Sequence, residues 1–125
     1  MNYKLISKLS KPLSPEVLHK LFLFSLRLRV FKKQAKFSNL QTKVFGKYFE
    51  NPIGLAAGFD KNAEAISGLF DLGFGFLELG TVTPMPQKGN DKPRVFKIPE
   101  YEAVIQRLGF NNKGIEDFIR NLKNF

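Results

Sequence analysis

The sequence predicts an α/β fold built on a parallel sheet and preceded by two short amphipathic helices. Three observations carry this expectation. The middle of the chain runs strand, helix, strand with tight connections, which is a βαβ unit and therefore places two strands parallel. The first 33 residues mix apolar side chains with lysine and arginine at helical spacing. The composition, 43% hydrophobic with 14 phenylalanines in 125 residues, is enough for a packed core in a chain of single-domain length.

The opening stretch MNYKLISKLSKPLSPEVLHKLFLFSLRLRVFKK reads as two helices broken at KPLSP. Ser14 fits an N-cap, Pro15 the first helical position, and Glu16 the positive helix end, so the second helix is expected from about residue 15 to residue 31. Its apolar positions Leu18, Leu21, Phe22, Phe24, Leu26, Leu28 and Phe31 cover much of the circumference, and Lys20, Arg27 and Arg29 interrupt them. Such a helix lies on a membrane surface and does not cross it.

TKVFGKYFEN alternates around Gly46 and predicts a small antiparallel hairpin. PIGLAAG then reads as a short buried strand, KNAEAISGLFDLG as a helix with a glycine stop, and FGFLELGTVTP as the next strand. After the turn-rich PMPQKGNDKP, residues 94–108 have hairpin character and residues 112–124 form a closing helix.

Charge and composition narrow the chemistry. Residues 1–50 hold 11 lysines and arginines against Glu16 and Glu50, whereas residues 51–125 hold nine of each sign, so the whole excess of +9 is N-terminal. A basic first part facing an anionic surface suits lipid headgroups; the aromatic residues fall at buried-looking positions and not on a stacking platform, which argues against nucleic acid. With no cysteine, thiolate metal sites, disulfides and a cysteine nucleophile are excluded, and one histidine cannot build a multi-histidine metal centre.

Functional residues of a parallel α/β sheet gather at the C-terminal strand ends, where loops converge on a ligand above a rigid sheet. Asp60 and Lys61 sit at one such end and Thr81 at the next. Ala56, Ala57 and Gly58 carry almost no side chain, so a flat ligand could rest on the backbone there; small residues also serve simply to let helices pack close, and both readings stand. The glycines of GFGFLELG do not form a dinucleotide fingerprint, because they are misplaced and open no helix. Read by itself, QRLGF is a strand end entering a glycine turn.

Three blocks, NPIGLAAGFDKNAEAI, GFGFLELGTVTPMPQKGNDKPRVFKIPE and VIQRLGFNNKG, together resemble the N-terminal part of a class 2, quinone-linked dihydroorotate dehydrogenase, in one collinear order over residues 12–123. The resemblance implies the first portion of a flavin-binding (β/α)8 barrel at residues 39–125, preceded at residues 1–38 by a helical extension that rests on the membrane and forms a ubiquinone tunnel. It implies oxidation of dihydroorotate to orotate in pyrimidine synthesis, with FMN as cofactor and ubiquinone as acceptor, on the cytoplasmic face of the cell membrane if the source is bacterial.

Carried over by position, Ala57, Gly58, Phe59, Asp60, Lys61 and Thr81 would contact FMN, and Lys61 would also reach the substrate. An ammonium group there balances the charge of reduced flavin and of the orotate carboxylate. Gln106, Arg107, Leu108, Gly109 and Phe110 match a substrate segment normally written with asparagine first; glutamine at 106 moves the amide outward by about one methylene. His19 and Lys97 fall where the family places a tunnel histidine and, usually, an arginine.

A complete barrel of this kind takes roughly 250 residues, and this sequence accounts for about two of its eight strands. The family's catalytic serine and its later phosphate-binding glycine loops have no counterpart here, which implies a chain inactive by itself, with a second chain supplying the rest as one arrangement. A non-catalytic remnant, a split-gene fragment and a basic membrane-surface module remain as alternatives.

Overall fold

A computed structural model describes residues 13–31 and 38–125. The first of the two expected N-terminal helices falls within residues 1–12, outside the described residues. The second is present as α1, Pro15–Arg27. It starts where local chemistry dictates: the Ser14 side chain accepts a hydrogen bond from the Val17 N–H at 3.3 Å, Pro15 occupies the first turn, and Glu16 faces the positive end.

α1 ends at Arg27, four residues before the expected stop at 31. The cause is a long-range pair. Arg29 adopts a left-handed conformation (φ 52°), and its guanidinium grips the carboxylate of Asp71 through two bonds of 2.6 and 3.0 Å. Asp71 is itself buried, so the paired geometry outweighs continuation of the helix.

The hairpin forms as expected from β1, Thr42–Val44, and β2, Lys47–Phe49, antiparallel with Val44 opposite Lys47. Phe45 and Gly46 both take positive φ, the pattern of a two-residue turn whose twist matches the strands. β3, Gly54–Leu55, and β4, Phe76–Leu77, pair in parallel, Gly54 with Phe76 and Leu55 with Leu77. The βαβ expectation is met, although β3 is only half-buried, Phe76 of β4 is exposed, and both strands are far shorter than the patterns suggest.

The crossover helix α2 spans Ile66–Asp71 and starts five residues later than the sequence implied. The buried Asp60 carboxylate accepts the N–H groups of Glu64 and Ala65, each at 2.8 Å, closing a turn that delays the helix. Gly73, at φ 98°, supplies the expected glycine stop.

The core lies between α1, α2 and the parallel pair. Leu26, Ala65 and Leu69 are buried together, with Phe22, Leu55, Phe59 and Leu77 packed around them. Close approach is possible because position 68 is glycine: a Cβ there would stand 2.1 Å from the backbone carbonyl oxygen of Leu26.

β5, Val95–Ile98, and β6, Ala103–Gln106, form the second expected hairpin, Val95 opposite Gln106. α3, Ile115–Lys123, closes the described fold, and the Asn121 side chain ties it to the backbone of Asn62 at 2.9 Å. Among the described residues no helix is long and apolar enough to cross a membrane.

Candidate functional site

Hydrogen bonds beyond the strand ends carry the parallel pairing upward. The Glu78 N–H donates to Leu55 O at 2.9 Å and the Gly58 N–H to Gly80 O at 2.7 Å. They bring the small-residue run 56–58 alongside Thr81. Ala57, Gly58, Lys61 and Thr81 then form one side of a cavity of about 510 Å³, and Asn90, Gln106, Arg107, Leu108, Gly109 and Phe110 form the other. Residues separated by up to 53 positions in sequence thus meet around one space; of those singled out from the sequence, Phe59, Asp60, His19 and Lys97 do not line it.

The site wall is built to leave backbone accessible. Gly58 sits at φ 99°, and a Cβ there would meet nothing within 4 Å. Gly109 and Phe110 are both in left-handed conformations, turning the chain sharply after β6. The Gln106 side chain folds back so that its Oε1 accepts the Leu108 N–H at 3.0 Å, leaving its NH2 as the group free to face a ligand. Arg107 is exposed and donates to Pro93 O at 3.2 Å, so its guanidinium braces the turn.

A second cavity of about 380 Å³ opens between α1 and the same strand ends. Glu16, His19, Leu23 and Phe24 line it from α1, and Phe59, Arg94 and Asn111 from the other side. The two cavities share Gly58, Lys61 and Leu108. His19 is fixed there: its Nε2–H donates to Phe59 O at 2.7 Å and its ring meets the Phe59 ring edge-on at 5.0 Å. Phe59 therefore faces α1.

Lys61 stands on the shared wall, its Nζ donating to Asn111 Oδ1 at 3.0 Å. Burial, followed by the nearby charge of Arg94, holds its pKa below the ordinary lysine range, against the opposing pull of Glu16. Asp60 has a different place from its neighbours: both its carboxylate oxygens are taken by backbone N–H groups, so its side chain shapes the turn on which Lys61 stands. Lys97 is exposed on β5 and lines neither cavity.

Several participants were not singled out from the sequence. Asn111 and Asn112 follow the glycine turn in tandem, and that doubled amide was the available signal. Asn112 is buried and holds its loop together: Oδ1 accepts the N–H of Thr83 at 3.2 Å and of Gly114 at 2.9 Å, and Nδ2 donates to Phe110 O at 2.7 Å. The sequence marks Glu16 only as a helix-end charge, yet it receives two bonds of 3.0 Å from Arg94, 78 residues away. Nothing local announces that pair. Among the described residues no group of three histidine, aspartate or glutamate side chains gathers as a metal site.

Residues 39–125 match the family model for dihydroorotate dehydrogenase. The chain is 48% identical to the quinone type dihydroorotate dehydrogenase of Stutzerimonas stutzeri over 97% of its own length and 37% of the relative's. It is 58% identical to that of Xanthomonas campestris pv. campestris over 67% of its length and 24% of the relative's. The structure superposes on a dihydroorotate dehydrogenase from Eimeria tenella, crystallised with ferulenol, with a TM-score of 0.84 and 38% identity, covering 90% of this chain and 30% of that one. The chain spans about a third of the length of the curated relatives it matches.

Proposed function

The chain belongs to the dihydroorotate dehydrogenase family, and from that premise we propose that it supplies the N-terminal third of a quinone-linked dihydroorotate dehydrogenase: one wall of an FMN and orotate site, and the helix that borders the quinone. The observation that carries the reading is the single cavity on which Ala57, Gly58, Lys61, Thr81 and residues 106–110 converge.

The residues present suit a flat, electron-rich ring. Ala57 and Gly58 offer backbone without obstruction, Thr81 a hydroxyl, and Lys61 a cation at the cavity's inner wall. When bound, FMN would accept the electrons withdrawn from dihydroorotate and pass them to a quinone. This chain's own part is positioning. Lys61, held by Asn111, offsets negative charge on the ring and on the substrate carboxylate. The Gln106 NH2 and the turn 107–110 orient the substrate from the opposite side.

The cavity lining holds no carboxylate and no histidine, so these walls supply no proton acceptor for the substrate carbon. That role is assigned to the portion of the family's length that this chain does not span. Residues 39–125, where the family match begins and ends, form the barrel's first part, and residues 1–38 the membrane-side extension. On α1, Val17, Leu21 and Phe24, with Leu28 just past its end, are exposed beside Lys20 and Arg27, which suits a peripheral helix lying on anionic lipid, on the cytoplasmic face in a bacterial cell. His19, which lines the cavity beside α1, would meet the quinone there.

The test is a fusion of this chain to the C-terminal two thirds of the Stutzerimonas stutzeri relative. It is expected to retain FMN through desalting and to reduce a quinone with dihydroorotate. Lys61→Ala should remove most of that activity while Gln106→Asn keeps it. A fusion that never binds flavin, or a Lys61→Ala variant as fast as the parent, defeats the reading.

A further inference from the structure

Among the described residues Arg94 is the one buried lysine or arginine, and its guanidinium gathers three segments. Nε and Nη2 donate to the two carboxylate oxygens of Glu16 on α1, each at 3.0 Å. Nη1 donates to Lys88 O at 2.9 Å and Asn90 O at 3.1 Å in the loop before β5, and reaches Leu108 O, after β6, at 3.5 Å. The two loops are stitched to each other by the Asn90 N–H to Leu108 O at 3.1 Å and the Asn90 Nδ2 to Arg107 O at 2.8 Å. Asn90 and Leu108 line the larger cavity, and Leu108 lines both.

We propose that the Glu16–Arg94 pair is a positioning clasp through which the seating of α1 sets the wall of the neighbouring cavity. Arginine cannot shed its proton, so withdrawal of Glu16 leaves a buried charge with only carbonyl partners. Arg94 then turns toward water, and the loop carbonyls it gathers lose their common donor. Displacing α1 therefore loosens Asn90 and Leu108. Only the identity of what the cavity binds rests on the functional reading above; the clasp itself stands on the pair's geometry.

A plain helix-end charge would matter to α1 alone, and this separates the two roles. Amide hydrogen exchange followed by NMR on the full chain, without flavin or dihydroorotate, reads both. In Glu16→Gln, exchange should accelerate about tenfold or more at the α1 amides and equally at the Asn90 N–H and the Arg107 N–H, which donates to Arg94 O at 2.8 Å. Glu16→Asp, which keeps the charge, should recover part of the protection. Arg94→Lys should not, because it loses the two-pronged grip. The Leu69 amide within α2 serves as reference. If Glu16→Gln exposes that amide too, the milder Glu16→Asp decides by the same pattern. Acceleration confined to α1, or a parent chain with no protection at Asn90 and Arg107, overturns the clasp. Since no ligand is present, failure of the flavin fusion leaves this result untouched, and the converse holds as well.

Discussion

Replacing Gly68 by alanine tests how tightly α1 is joined to the strand–helix–strand unit. An added Cβ would lie 2.1 Å from Leu26 O and 2.7 Å from Leu26 C, both backbone atoms that cannot swing aside. Ordinary contact begins near 3.4 Å, so the end of α1 must retreat by about 1.3 Å. Absorbing that as strain costs about 1–3 kcal/mol, the usual range for an overfilled core. Releasing α1 instead uncovers Leu26, which is wholly buried, at a cost of about 1.5–3 kcal/mol. The better helix propensity of alanine returns at most about 1 kcal/mol. A net loss of about 1–2 kcal/mol follows by either route, and it concentrates at the α1 end. The assay is the urea midpoint together with tryptic cleavage after Arg27 and Arg29. Gly46→Ala is the control: it sits in the distant hairpin turn, where a Cβ meets nothing within 4 Å but φ is +76°, so it should strain that turn and leave α1 cleavage alone. A Gly68→Ala chain as stable as its parent, with α1 cut no faster, would show that the helix is not held where the argument places it.

Five further outcomes follow. Asp60→Asn should cost about 1–3 kcal/mol, seen as a lower Tm, because one of two backbone N–H groups loses its acceptor in a buried turn. Asn112→Ala should cost a similar amount, about 1–3 kcal/mol, and expose the 110–114 loop to proteolysis. The depressed pKa of Lys61 means that the unfolded chain binds the extra proton, so stability should rise as pH climbs from the folded value toward the ordinary lysine value of 10.5; Lys61→Gln should flatten that rise in urea midpoints. Glu16, whose pKa is lowered chiefly by its bonds from Arg94, acts in the opposite range: its contribution is full above 4.5 and fades as acid takes pH through the lowered value, a loss that Glu16→Gln should abolish. Finally, the chain should float with acidic vesicles at low salt and release at high salt, and absence of binding at low salt would refute the membrane assignment for α1.

What could be read from the sequence was what neighbours in sequence decide. Ser14 and Pro15 start α1 through bonds within one turn, the Phe45–Gly46 turn follows from alternation around a glycine, and Gly73 stops α2 where a left-handed residue is needed. The cavity was legible because most of its residues come in two short stretches at strand ends, Ala57, Gly58 and Lys61 in one and 106–110 in the other. Helix limits were misjudged where a distant or carboxylate partner intervenes: Arg29 answers to Asp71 across 42 positions, and Asp60 captures N–H groups that a longer α2 would have kept. The partnership of Lys61 with Asn111, 50 positions apart, and that of Glu16 with Arg94 belong to the same class. Periodicity carries no information about them, since each depends on the chain returning to the same place.

The joint burial of Leu26 with Ala65 and Leu69 bears on how such an N-terminal segment can be handled and inherited. A terminal targeting tail can usually be clipped or transplanted as a cassette, because the body beneath it is already finished. Among the described residues, Leu26 of this helix is one of three large side chains that are fully buried, so clipping the helix would strip Leu69 of its cover and leave an oily scar on the body. On the proposed membrane reading, changes of lipid preference through evolution must then be sought in residue-by-residue drift along the outer side of α1, at positions such as Val17 and Leu21, while Leu26 stays answerable to the body it caps.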